Sequence, residues 1–193
     1  MSSTESNQEF TQFLPQKLLI YIRGIIMLIL GSVVSVFAII APNVQIMSVN
    51  TGWLPIPSFI MVFVGVLECF DTYISKNTNR FIINLQLAVL DMVFGMMILF
   101  SLGNSVNEVS LLIAAYLMVK GVFRLVAAMA GGFPHAKSTI IGGLIALILG
   151  VLIWIQWPDA LPVGFLAFSL SLEIALRGFA LLHFTSWLGS IKK

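Results

Sequence analysis

Eight ionisable residues sit inside otherwise apolar stretches: Arg23, Glu68, Asp71, Asp91, Lys120, Arg124, Glu173 and Arg177. A charge held at the centre of a membrane helix costs roughly 2.5–3.5 kcal/mol even on lenient insertion scales. Eight unpaired charges would not be tolerated, so each needs an opposite charge or access to water. Four are acids and four are bases, so the set can pair completely. Two kinds of chemistry fit such a set. One is a group of buried ion pairs that fixes how helices meet. The other is a polar path for protons or small solutes.

The elements that must position these charges are apolar and long. Of the 193 residues, 59% are hydrophobic and only 9% charged, and mean hydropathy is +1.04. A water-soluble domain carries about 25% charged residues, so this chain cannot cover a soluble surface. A net charge of +2 with scattered basic residues excludes a nucleic-acid-binding field. One cysteine excludes a disulfide framework or a cysteine-based zinc site. The fold expected is an all-α membrane protein. Six spans of about 20 residues each are predicted, at 17–41, 54–75, 81–102, 109–130, 139–156 and 161–188. The breaks between them fall at Pro42-Asn43, Gly103-Asn104, Gly131 to Pro134 and Trp157-Pro158-Asp159. Pro55 and Pro57 fall in the first turn of the second span, where a missing N–H costs little.

Residues 1–16 read as a short polar cytoplasmic tail and 189–193 as a cytoplasmic C-terminal tail. The polar start lacks the order of a cleaved signal, so the first span is expected to be retained. Lys and Arg fall on one side of the predicted membrane: Lys76, Arg80, Lys137, Lys192 and Lys193. The opposite loops carry only Glu108 and Asp159. This asymmetry predicts both termini in the cytoplasm. Trp53, Trp154, Trp157 and Trp187 all fall near predicted span ends, as an interfacial belt requires.

The even spans each carry a glycine, Gly65, Gly121 and Gly178, spaced 56 and 57 residues apart. The odd spans carry small residues seven apart: Gly24 and Gly31, Ala88 and Gly95, Gly143 and Gly150. Three tandem parallel helical hairpins explain both patterns. The glycines, Gly24, Gly31, Gly65, Gly95, Gly121, Gly143, Gly150 and Gly178, are then helix-packing positions. Gly142, Ala146 and Gly150 add a stripe expected to form one smooth face.

Within this frame Asp91 and Lys120 fall at similar depth on adjacent spans and are expected to pair. Glu173 and Arg177 are four apart, hence on one helix face. Arg124 aligns with Glu68 in the repeat. Arg23 and Asp71 lie nearer the cytoplasm and are expected to snorkel. His135 and His183 read as interfacial polar residues, Cys69 as apolar packing. No metal site, cofactor site or catalytic motif is found, so an enzyme is not expected.

Arg23-Gly-Ile-Ile-Met-Leu-Ile-Leu-Gly31 followed by Ala41-Pro42 resembles the HdeD-like family of small bacterial inner-membrane proteins. So do Ile141 to Gly150 with Trp157-Pro158, Lys120-Gly121-Val122-Phe123-Arg124, and Arg177-Gly178. The resemblance runs from about Leu18 to Phe184. The long loop ending in Trp53-Leu54-Pro55-Ile56-Pro57, Asp91 in the third span and the missing Asn-Pro at that span's end depart from it. The resemblance implies a non-enzymatic inner-membrane protein with a role in acid or stress resistance. The alternative is a small transporter or proton-linked permeation protein using Asp91, Lys120, Glu173 and Arg177. The partner expected is the lipid bilayer, with room for a homo-oligomer and no nucleic acid.

Overall fold

The computed structural model describes residues 17–42, 44, 46, 51–74, 81–130, 136–159 and 161–190. The polar start, His135 and the last three residues lie outside them. Six helices run in order: α1 Lys17–Ile40, α2 Pro55–Ile74, α3 Phe81–Ser101, α4 Val106–Ala130, α5 Ala136–Gln156 and α6 Val163–Ser190. There are no strands among the described residues. Five of the helices are long and apolar enough to cross a bilayer, which makes the chain a multi-pass membrane protein. The apolar stretch of α3, Leu85–Ser101, is shorter.

Local chemistry sets the helix ends. The Ala41 N–H still donates to the Phe37 carbonyl at 2.9 Å before Pro42 stops α1. Ser105 caps α4. Its Oγ accepts from the Glu108 N–H at 3.4 Å, in the Ser-x-x-Glu order of a capping box. This is why α4 begins at Val106 and not at the predicted 109, with Asn107 and Glu108 in its first turn. The first turn of α5 likewise takes in Lys137 and Ser138, ahead of the predicted 139. α6 begins after Pro162, whose carbonyl accepts from Phe165 N–H at 2.8 Å, so Leu161 and Pro162 stay outside it. Trp53 closes the α1–α2 connection. Its indole N–H donates to the Ala41 carbonyl at 2.8 Å, and its ring stacks on Phe37.

The helices associate in pairs: α1 packs chiefly on α6, α2 on α3 and α4 on α5. Each pair is antiparallel and is joined by glycines that let backbones touch. A Cβ on Gly31 would lie 2.5 Å from the Ala175 amide nitrogen, and one on Gly178 equally close to that of Leu28. In α2/α3 a Cβ on Gly65 would meet the Met92 nitrogen at 2.6 Å, while one on Gly95 would meet Val62 and the Ser58 carbonyl. In α4/α5 Gly121 faces the Gly143 carbonyl, and Gly150 faces Met118 and the Ala114 carbonyl. Gly24 sits against the Leu181 and Leu182 side chains, with slightly more room. Lipid gives helices no hydrophobic reason to associate, so this close backbone contact supplies the packing.

The expected Gly142, Ala146, Gly150 stripe does not form one contact face. Gly150 lies on α4, but a Cβ on Gly142 would find only Arg124 Nη1 at 3.3 Å and Leu176 Cβ at 3.9 Å. The helix repeat of 3.6 residues per turn drifts over eight positions, and the seven-residue spacing of Gly143 and Gly150 follows the α4 seam instead.

Where α3, α4 and α6 meet, the half of the bundle toward the α1 C-terminus is filled by Ile98, Ile113, Leu117, Leu166 and Leu170, all fully buried. The outward faces carry large apolar side chains such as Ile29, Phe63, Phe100, Met129 and Ile155, as contact with lipid requires. The charged residues occupy the other half, toward the α1 N-terminus, called here the near end.

Candidate functional site

All eight intramembrane charges join in one chain of ion pairs. Asp71 on α2 bonds Arg23 on α1 at 2.9 Å. Arg23 also pairs with Glu68 on α2. Glu68 pairs with Arg177 on α6, and Arg177 with Asp91 on α3. Asp91 accepts from Lys120 on α4 at 2.6 Å. Lys120 Nζ lies 3.0 Å from Glu173 on α6, which also contacts Arg124 on α4 at 2.6 Å. The signs alternate along the chain, and the four acids balance the four bases. Asp91, Lys120 and Glu173 are 0%, 1% and 2% exposed. The Asp71 side chain is 57% exposed.

Asp91 takes charge from two sides. One carboxylate oxygen accepts from Lys120 and from the Tyr116 hydroxyl at 2.9 Å, the other from Arg177. Glu173 Oε1 is held differently. Its contacts with Lys120 and Arg124 fall outside hydrogen-bond geometry, so they act by charge alone. Ion contact at this burial is favourable only because every member has a partner; an orphaned charge would cost about 3–5 kcal/mol.

The geometry brings Asp91 and Lys120 together, as expected, and sends the other charges to different neighbours. Glu173 and Arg177 do not pair with each other, although they share a helix. Glu173 reaches α4, while Arg177 reaches α2 and α3. Arg124 and Glu68 are not in contact; each binds α6 instead. Arg23 does not snorkel. Its side chain is 16% exposed and it turns to two acids of α2, hydrogen-bonding Asp71 and meeting Glu68 by charge alone. Tyr116 was not among the candidates, yet it belongs to the site. Its position four residues before Lys120, on the same helix face, is the signal that marks it. His183 is exposed and stacks on Phe179.

The ion pairs follow one rule. All seven of those described cross between the helix pairs α1/α6, α2/α3 and α4/α5, and none lies within a pair. The charges are also sorted by pair. α2/α3 brings only acids (Glu68, Asp71, Asp91). α4/α5 brings only bases (Lys120, Arg124). α1/α6 brings both (Arg23, Arg177, Glu173). Among the described residues no group of three or more His, Cys, Asp or Glu converges as a metal would need, because a cation stands between successive acids.

Set against protein-family models, curated proteins and solved structures, the chain matches none.

Proposed function

We propose that this is a non-enzymatic, HdeD-like protein of the bacterial inner membrane, contributing to acid or stress tolerance, whose intramembrane charges serve as an ionic junction tying helices together. The observation that carries the junction is the complete chain of seven ion pairs, each spanning two helix pairs. A solute path would need polar lining through both halves of the bundle. Beyond Asp91 and Lys120 the large interior side chains are Ile98, Ile113, Leu117, Leu166 and Leu170, and the buried hydroxyls of Ser58, Ser110 and Ser169 are turned back onto local backbone carbonyls, which speaks against the transport alternative.

In this reading α3 is the sixth span, since its 21 residues would run about 31 Å, the thickness of the hydrocarbon core. The helices then form three tandem parallel repeats, α1–α2, α3–α4 and α5–α6, with the close packing lying between repeats, each even helix on the next odd one and α6 back on α1, and not within a hairpin as expected. The recurring glycine seams support this: an even-helix glycine (Gly65, Gly121, Gly178) meets an odd helix each time. The Lys and Arg asymmetry places both termini, and with them the junction, on the cytoplasmic side.

Two experiments test the proposal. Purified protein in liposomes should pass no more protons than protein-free liposomes under an imposed pH gradient; sustained flux would favour permeation. Cells producing the protein should survive an acid challenge better than cells producing Glu173→Gln at equal membrane level. Equal survival would remove the tolerance role.

A further inference from the structure

We infer that the molecule moves as three rigid helix pairs, α1/α6, α2/α3 and α4/α5, which part from one another at the near end when the junction carboxylates are neutralised, while each pair stays closed. This goes beyond the proposed role and is tested without reading flux or survival.

Two independent features of the structure lead there. The first is the division of labour between contacts. Within a pair, backbones meet at glycines, and those contacts do not depend on protonation. Between pairs, all seven described ion pairs lie at the near end, and each includes a carboxylate. Protonation therefore acts on one class of seam and spares the other.

The second feature is the sorting of signs. The α2/α3 pair holds Glu68, Asp71 and Asp91, so neutralising its carboxylates leaves it without charge at the junction. Arg23, Arg177 and Arg124 cannot lose their charge. With Glu173 neutralised as well, α1/α6 and α4/α5 face each other as two bodies of like charge, through Arg177 and Arg23 on one side and Lys120 and Arg124 on the other. The remaining titratable neighbours do not offset this. Tyr116 on α4 is neutral when protonated, and so is Cys69 on α2. Among the described residues α5 brings no titratable side chain to the junction, only Gly142 beside Arg124. At the far end Ile98, Ile113, Leu117, Leu166 and Leu170 stay packed, so the parting is one-ended, a splay about an apolar hinge.

The test uses the full chain in liposomes with Cys69→Ser, carrying two spin labels at lipid-facing sites. Phe70 with Val89, and Val126 with Ile141, report within pairs; Phe70 with Val126, and Ile26 with Val126, report between them. Neutralising all four junction carboxylates by Glu68→Gln, Asp71→Asn, Asp91→Asn and Glu173→Gln at neutral pH should lengthen both between-pair distances by about 2 Å or more and leave both within-pair distances unchanged. At neutral pH the triple variant Glu68→Gln, Asp71→Asn, Asp91→Asn should lengthen Phe70–Val126 alone, because Glu173 still holds α6 to α4. If the fourfold variant does not fold, the triple variant decides through Phe70–Val126. Unchanged between-pair distances in the folded variants overturn the inference, as does lengthening within pairs equal to that between them.

Discussion

The seam between α1 and α6 and the junction of α3, α4 and α6 solve the same problem by opposite means. Both must hold helices together where lipid gives no hydrophobic drive. The α1/α6 seam does so by removing side chains. Gly31 and Gly178 bring backbone against backbone, so the contact tolerates no added atom. The junction keeps long side chains and lets them reach across, Lys120 and Arg124 to Glu173, Arg177 to Asp91. A glycine seam is specific by shape and indifferent to pH. An ionic junction is specific by sign, and its failure mode is an unpaired charge. Separating the two lets one bundle have rigid parts and an adjustable meeting point.

The comparison breaks most visibly at the glycine seams. Gly31→Leu would drive a side chain into the α6 backbone at Ala175 and Ser171, which cannot yield as a flexible side chain does. The expected loss exceeds about 3 kcal/mol, the upper end for overpacking, measured by thermal unfolding in detergent. Gly103→Ala, with nothing within 4 Å, is the control and should unfold with the native protein.

Next in size is the exchange of Asp91 with Lys120. For an isolated pair the swap should restore folding. In this network it places the new lysine beside Arg177 and the new aspartate beside Glu173. It should therefore be less stable than either single neutralisation. Recovery to native stability would show that Asp91 and Lys120 form a self-contained pair and that the chain is not one unit.

The smallest effect belongs to the exposed end of the chain. Asp71→Asn removes a half-exposed partner of Arg23, which keeps Glu68. A change within about 1 kcal/mol is expected, as for surface ion pairs, and added salt should shrink it further. A loss comparable to that at a buried member would mean that Asp71 sets the position of Arg23.

Much of this arrangement was legible in the sequence, for identifiable reasons. The apolar runs and their Pro, Gly and Asn breaks locate the helices. Their cost in lipid singles out all eight charges. The depth of Asp91 and Lys120 on consecutive helices suffices to match them. What stayed hidden depends on contacts between residues far apart in the chain. Nothing local says that α1 closes on α6, so neither the Gly31–Ala175 approach nor the burial of Arg23 was legible. Helical periodicity puts Glu173 and Arg177 on one face, but two charges on one face can each reach a different neighbour, as these do. The Ser105-x-x-Glu108 cap is written in the sequence, but Asn107 and Glu108 are polar, so apolar content alone starts the helix at Val109.

The central claim is that opposite charges across the seams hold the helix pairs to one another. The measurement that meets it most directly is a double-mutant cycle on thermal stability with Asp91→Asn and Lys120→Met. Each single change leaves a neighbour with excess charge, Arg177 and Lys120 in one case, Asp91 and Glu173 in the other. The buried members should each cost roughly 3–5 kcal/mol. The double change leaves Arg177 on Glu68 and Arg124 on Glu173, both still paired. It should be milder than the worse single change. Strict additivity of the two single effects would contradict the account, because residues that act across a seam cannot be lost independently.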